Sequence, residues 1–148
     1  MPGVLNVRRT ILAGAAVAVS VAVLAAQGKP VTDKNLQMTP TSVELTDKGS
    51  LRDCPPGTNT VNSVALAGQQ IANVTVGFKV LPGFKPAPMK RPIVTAADGK
   101  TYNTSVQFVD VGSVPEFSCT FVYRVPEGTK LKSMQIEGAT IDLSTLAK

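Results

Sequence analysis

Cys54 and Cys119 are the only cysteines, and none of the 148 residues is a histidine. Those two facts restrict the chemistry at once. A hydrolytic triad needs a base that titrates near neutrality, and without imidazole neither Ser-His-Asp nor Cys-His can be assembled. Glu116, Glu127, Glu137 and the aspartates offer carboxylates for glycoside cleavage, which works through an opposed pair. They fall at turns and strand ends, where solvated charge is the ordinary explanation. Met38, Met89 and Met134 carry thioethers of the kind copper(I) prefers, but no Met-x-x-Met cluster gathers them. Asp98-Gly99 lacks the run of aspartates of a calcium loop, and GxxxxGK[ST] does not occur. The sequence therefore predicts no catalytic residue, no metal site and no cofactor. Sequons at Asn73 and Asn103 fall on outward faces of expected strands and read as chance matches.

The two thiols lack the CxxC spacing of redox pairs, so their simplest use is one structural disulfide, Cys54 to Cys119, in an oxidising compartment. The N-terminus agrees. MPGVLNVRR is basic, and the 17 residues from Thr10 to Ala26 are uncharged and small to apolar, which is the pattern of a secretory signal helix cleaved near Ala25 or Ala26. A retained single membrane anchor is the rival reading, at the short end of what spans a bilayer. Arg8-Arg9 is either a twin-arginine export core or an ordinary positive start, and the ordinary start is favoured. Losing Arg8 and Arg9 leaves 13 Lys and Arg against 10 Asp and Glu, a net charge of +3, too weak to predict nucleic-acid binding.

One stretch stands out as a candidate binding loop. VGFKVLPGFKPAPMKRP repeats Gly-Phe-Lys and contains no acidic residue. Phe78 belongs to a strand, but Leu81-Pro82 ends it, and Pro86, Pro88 and Pro92 keep the following backbone extended without ladder donors. Phe84 beside Lys85, Lys90 and Arg91 on a stiff loop would lose little entropy on binding, which suits an acidic polymer or a partner protein at the cell surface. The structural alternative is a crossover between two sheets with Phe84 tucked under the edge.

The elements that must position these residues have a period of two. Residues 27–41 show little apolar periodicity and are expected to be a flexible tether, with a β-sandwich domain over 42–148. Ser42 to Thr46 alternates, and the Gly-, Pro- and Asp-rich stretch holding Cys54 is a loop. Residues 61–67 are a strand candidate. Ala72, Val74, Val76, Phe78 and Val80 share one face of a half-buried strand, opposite Asn73, Thr75, Gly77 and Lys79. Ala97-Asp98-Gly99-Lys100 is a hairpin turn followed by alternation from Tyr102 to Phe108. Phe117, Cys119, Phe121, Tyr123 and Val125 point inward on an aromatic strand, Pro126-Glu127-Gly128-Thr129 turns the chain, and strands over 131–136 and 140–143 complete the set. About seven or eight short strands with regular turns predict an all-β fold of two antiparallel sheets packed face to face.

The hairpin in PIVTAADGKTYNTSVQFVD and the strand and turn in FSCTFVYRVPEGTKLKSMQIEGATIDL resemble the immunoglobulin-like β-sandwich domain of bacterial exported proteins and lipoproteins, a group that includes a secreted immunogenic sandwich protein of mycobacteria. The resemblance covers roughly residues 60–143 and implies a small extracytoplasmic domain. The group commonly carries a longer loop before the strand at Glu116, where this chain has only VGSVP, and no catalytic motif carries over.

These readings converge on a secreted, periplasmic or cell-envelope binding module without catalytic activity. It would contact a membrane only through an uncleaved N-terminal segment. A structural subunit that self-associates by adding the 27–41 tether to a neighbour's sheet is the alternative, and an uncleaved membrane-anchored envelope protein is another.

Overall fold

The computed structural model describes residues 27–60, 64–106, 109–112 and 114–146. The expected signal segment lies outside them. Among the described residues there is no helix long and apolar enough to cross a membrane.

Among the described residues, ten strand segments build the domain: β1 (Val31–Asp33), β2 (Leu36–Thr46), β3 (Gln69–Val80), β4 (Ala87–Pro88), β5 (Ile93–Ala96), β6 (Thr101–Asn103), β7 (Asp110–Val111), β8 (Glu116–Pro126), β9 (Leu131–Ile136) and β10 (Ala139–Asp142). One sheet has the order β1-β2-β3-β8, the other β10-β9-β5-β6, and β4 with β7 forms a separate ribbon. All pairings are antiparallel. The protein is a β-sandwich, as its alternation predicts.

The register explains the core. Val74 lies opposite Phe121, Val76 opposite Cys119 and Phe78 opposite Phe117, so the inward residues of β3 and β8 form one apolar surface. Phe78 stacks on Phe117 with centroids 4.9 Å apart and meets Phe121 edge-on at 6.2 Å. From the facing sheet, Val94, Met134, Ile136 and Ile141 complete a dry interior. The two sheets also approach along both edges. On one edge Thr104 bridges to Tyr123, and the Ser105 N–H donates to the Val122 carbonyl at 2.7 Å. On the other, the Gly138 N–H donates to Asp33 Oδ2 at 3.2 Å.

Residues 27–41 are not a tether. They carry β1 and the start of β2, where Leu36 and Met38 are buried and lie opposite Val80 and Phe78. Pro40 gives no ladder donor, but its carbonyl accepts the Gly28 N–H at 2.8 Å on the side of β1, and the proline sits beside an irregularity of the ladder, where a missing donor is tolerated. The register slips between Pro40 and Ser42, a local bulge. This segment therefore pairs within its own sheet.

The outer face of β3 and β8 also differs from expectation. Asn73, Thr120 and Val122, placed on the solvent side by alternation, are almost wholly buried. The connection from β2 to β3 covers them. Asn73 accepts from the Ser50 N–H and donates to the Lys48 carbonyl, both at 3.2 Å, so its amide is satisfied by that connection. The same connection reaches the far edge of β8, where the Thr120 N–H donates to the Arg52 carbonyl, and the Cys54–Cys119 disulfide fastens it there. Of the strand expected over 61–67, residues 61–63 lie outside the described set. Val64 makes an isolated bridge to Lys48, and the chain then turns into β3.

Candidate functional site

The polypeptide passes between the sheets twice near one end of the sandwich. Residues 81–92 lead from β3 to β5, and residues 104–115 lead from β6 to β8. The two crossovers pair with each other as the β4–β7 ribbon, Ala87 opposite Val111, and the Met89 N–H donates to the Val109 carbonyl at 3.2 Å. The stretch expected as a binding loop is thus a fixed crossover, held by a backbone ladder.

Its sequence explains its course. Leu81-Pro82-Gly83-Phe84 closes a turn in which the Phe84 N–H donates to the Leu81 carbonyl at 3.1 Å and Gly83 takes φ +88°. Proline followed by a glycine at positive φ is the requirement of a type II turn. The turn delivers Phe84 to a half-buried position packed on the core. A Cβ at Gly112 would lie 2.9 Å from Pro86 and 3.3 Å from a Phe84 ring carbon, so the absent side chain makes room for both.

Two hairpin turns face this crossover. The β1–β2 turn holds Lys34 at φ +47° and Asn35 at φ +63°, the paired left-handed residues of a tight hairpin. The Asn35 carbonyl accepts the Leu81 N–H at 2.9 Å. In the β9–β10 turn, Glu137 has φ +52° and its Oε1 accepts the Lys90 N–H at 2.8 Å, while the adjacent Gly138 N–H is held by Asp33. Two carboxylates therefore brace the three segments through backbone donors.

Between these segments lies a cleft of about 460 Å³. Buried Leu36, Met38 and Val111 line it together with half-buried Phe84 and Met89. Asp33, Lys34, Lys85 and Glu137 supply its charges. Neither lysine forms an ion pair among the described residues, where the salt bridges are Arg52–Glu44 and Lys100–Asp98. Two more open depressions, of about 360 and 400 Å³, lie beside the hairpin at Asp98 and across the outer face around Gly77.

Of the four residues assigned to the binding loop, the cleft brings together Phe84 and Lys85. Lys90 and Arg91 are exposed and instead border a gap of about 10 Å³ beside Val106 and Phe121. Sequence reasoning missed Asp33, Lys34, Leu36 and Met38 because it took them for tether. Lys34-Asn35 between the alternating pairs Val31/Asp33 and Leu36/Met38 was the available signal of a hairpin. In the sequence Glu137 reads only as one of several scattered carboxylates. Among the described residues, no three acidic or sulfur side chains gather as a metal site.

No family model matches this chain, and no curated protein does either. In structure the chain is similar to an uncharacterized β-sandwich protein from Clostridium difficile 630, with a TM-score of 0.51 and 9% identity, over 78% of this chain and 89% of that one. That likeness concerns the fold alone.

Proposed function

We propose that this protein is an extracytoplasmic β-sandwich that binds a ligand in the cleft between the β1–β2 turn, the β9–β10 turn and the 81–92 crossover, and that it does no catalysis. The observation that carries the reading is the cleft itself: an apolar interior beside lysines that form no ion pair among the described residues, in the size range of small-molecule sites, roughly 300–1,000 Å³. The disulfide supports the compartment, because such bonds persist where the surroundings are oxidising. The immunoglobulin-like kinship rests on the hairpin at Asp98-Gly99 and the turn at Pro126 to Thr129.

The site is the cleft rather than a projecting hook, so Phe84 is a poor residue for testing it. Ala87 is exposed and lines the cleft, opposite Val111 in the β4–β7 ribbon, and Ala87→Trp would fill the space from the rim. The test is a small-molecule library read by amide chemical shifts. Binding that perturbs Lys34, Met38 and Met89 in the native protein and vanishes in Ala87→Trp is expected. Hits that ignore that substitution, or no hits, would reject the cleft.

A further inference from the structure

We infer that the ligand is a single-chain amphiphile with an anionic headgroup, an inference that rests on the cleft being the binding site. Three observations on different parts of the cleft lead there.

The first is the interior. Leu36, Met38, Val111, Phe84 and Met89 present hydrocarbon, an aromatic ring and thioethers. A rigid polar molecule would lose its hydration there without recovering hydrogen bonds. Two methionines adapt their shape to a flexible guest better than branched side chains do. The volume of about 460 Å³ suits one acyl chain rather than the pair of a membrane phospholipid.

The second is the state of the carboxylates. Asp33 accepts the Gly138 N–H and Glu137 accepts the Lys90 N–H. Each is committed to holding a turn, and its charge is met in part by that donor.

The third is the state of the cations. Lys34 and Lys85 are exposed, come from two different segments of the cleft, and pair with no carboxylate among the described residues. Their ammonium groups can swing to a head at the mouth while their stems extend the apolar wall. The two carboxylates are pinned to their turns by backbone donors while the two ammonium groups are exposed and without a carboxylate partner among the described residues, so the lysines are the charges able to reach a bound headgroup, and the chain's excess of Lys and Arg over Asp and Glu favours the approach of an anion.

Calorimetry on the intact disulfide-bonded protein, with monomeric amphiphiles below micelle formation, tests this directly. Decanoate is expected to bind more tightly than decyl maltoside and at least tenfold more tightly than decyltrimethylammonium. Affinity for octanoate, nonanoate and decanoate should rise about fourfold per methylene, the gain expected for burying each group. Lys34→Met with Lys85→Met, which keeps an apolar stem at each position, should weaken decanoate about tenfold, since two exposed ion pairs are removed, and weaken decyl maltoside by much less. If the three headgroups bind alike, or the cation binds best, and Ala87→Trp still abolishes binding, the anionic assignment is wrong while the cleft stands. If none of them binds, or Ala87→Trp changes nothing, the cleft itself is refuted.

Discussion

The Tyr123 phenol donates a hydrogen bond to the Pro92 carbonyl at 3.1 Å, tying β8 of one sheet to the end of the crossover that enters the other. Burial pushes this phenol well above its ordinary value, and the Thr104 hydroxyl offsets only part of that. Because the folded group holds its proton more tightly than the unfolded one, its contribution is complete below about pH 10 and is lost as pH climbs through the folded value. Denaturant unfolding at pH 7 and pH 11 should show Tyr123→Phe costing about 1 kcal/mol at the lower pH and losing less than the native protein between the two. A parallel loss in both proteins would show that another group governs alkaline unfolding.

Removing the sulfur bridge should be costly. The cysteines are 65 positions apart, and on the loop-entropy account closing such a loop stabilises by about 4 kcal/mol. Cys54→Ala with Cys119→Ala is expected to lose that amount in urea unfolding, and the reduced native protein to lose nearly as much. Intact mass before and after alkylation checks the bond independently.

Asn73→Ala leaves the Ser50 N–H and the Lys48 carbonyl without their partner under the β2–β3 connection. A loss of about 2–3 kcal/mol is expected, since an unsatisfied buried group costs more than the bond it replaces. Hydrogen exchange should locate the damage, with the Ser50 amide losing protection before the β3 ladder does.

Two glycines should respond in opposite directions to the same change. Gly112→Ala drives a Cβ to 2.9 Å from Pro86 at φ +112°, and about 2–3 kcal/mol of destabilisation is expected from strain and displacement of Phe84. Gly77→Ala meets only the Thr39 carbonyl at 3.7 Å and has no positive φ, so it should stabilise by roughly 0.5–1 kcal/mol through reduced chain entropy. Thermal melts of the two variants, one below and one above the native protein, check both.

The parts of the fold legible from sequence are those whose signals are local. Alternation in β3 and β8 needs only side chains two positions apart, and Asp98-Gly99 dictates its own turn through the φ of +86° at Gly99. The buried outer face was illegible because Asn73 and Val122 are polar and apolar neighbours whose covering arrives from a distant connection. Residues 27–41 read as a tether because their apolar periodicity is weak, and Leu36 and Met38 gain their apolar partners Val80 and Phe78 only when β3 pairs with β2. The cleft was half legible. Leu81-Pro82-Gly83-Phe84 predicts the end of a strand, but Lys34, Lys85 and Glu137 meet only once both sheets are assembled. Lys90 and Arg91 follow Phe84 along the chain without sharing its surroundings.

The fastening of Cys54 to Cys119 has a consequence for proteolysis. A protease that cuts once in the exposed turn at Pro56-Gly57, or at the exposed residues Leu66 to Gly68, separates two fragments that each retain one of the joined sulfurs. Such a nicked molecule would migrate as one species on a non-reducing gel and fall into two only after thiol treatment. The bond thus lets the exposed connection be clipped there without shedding the strands beneath.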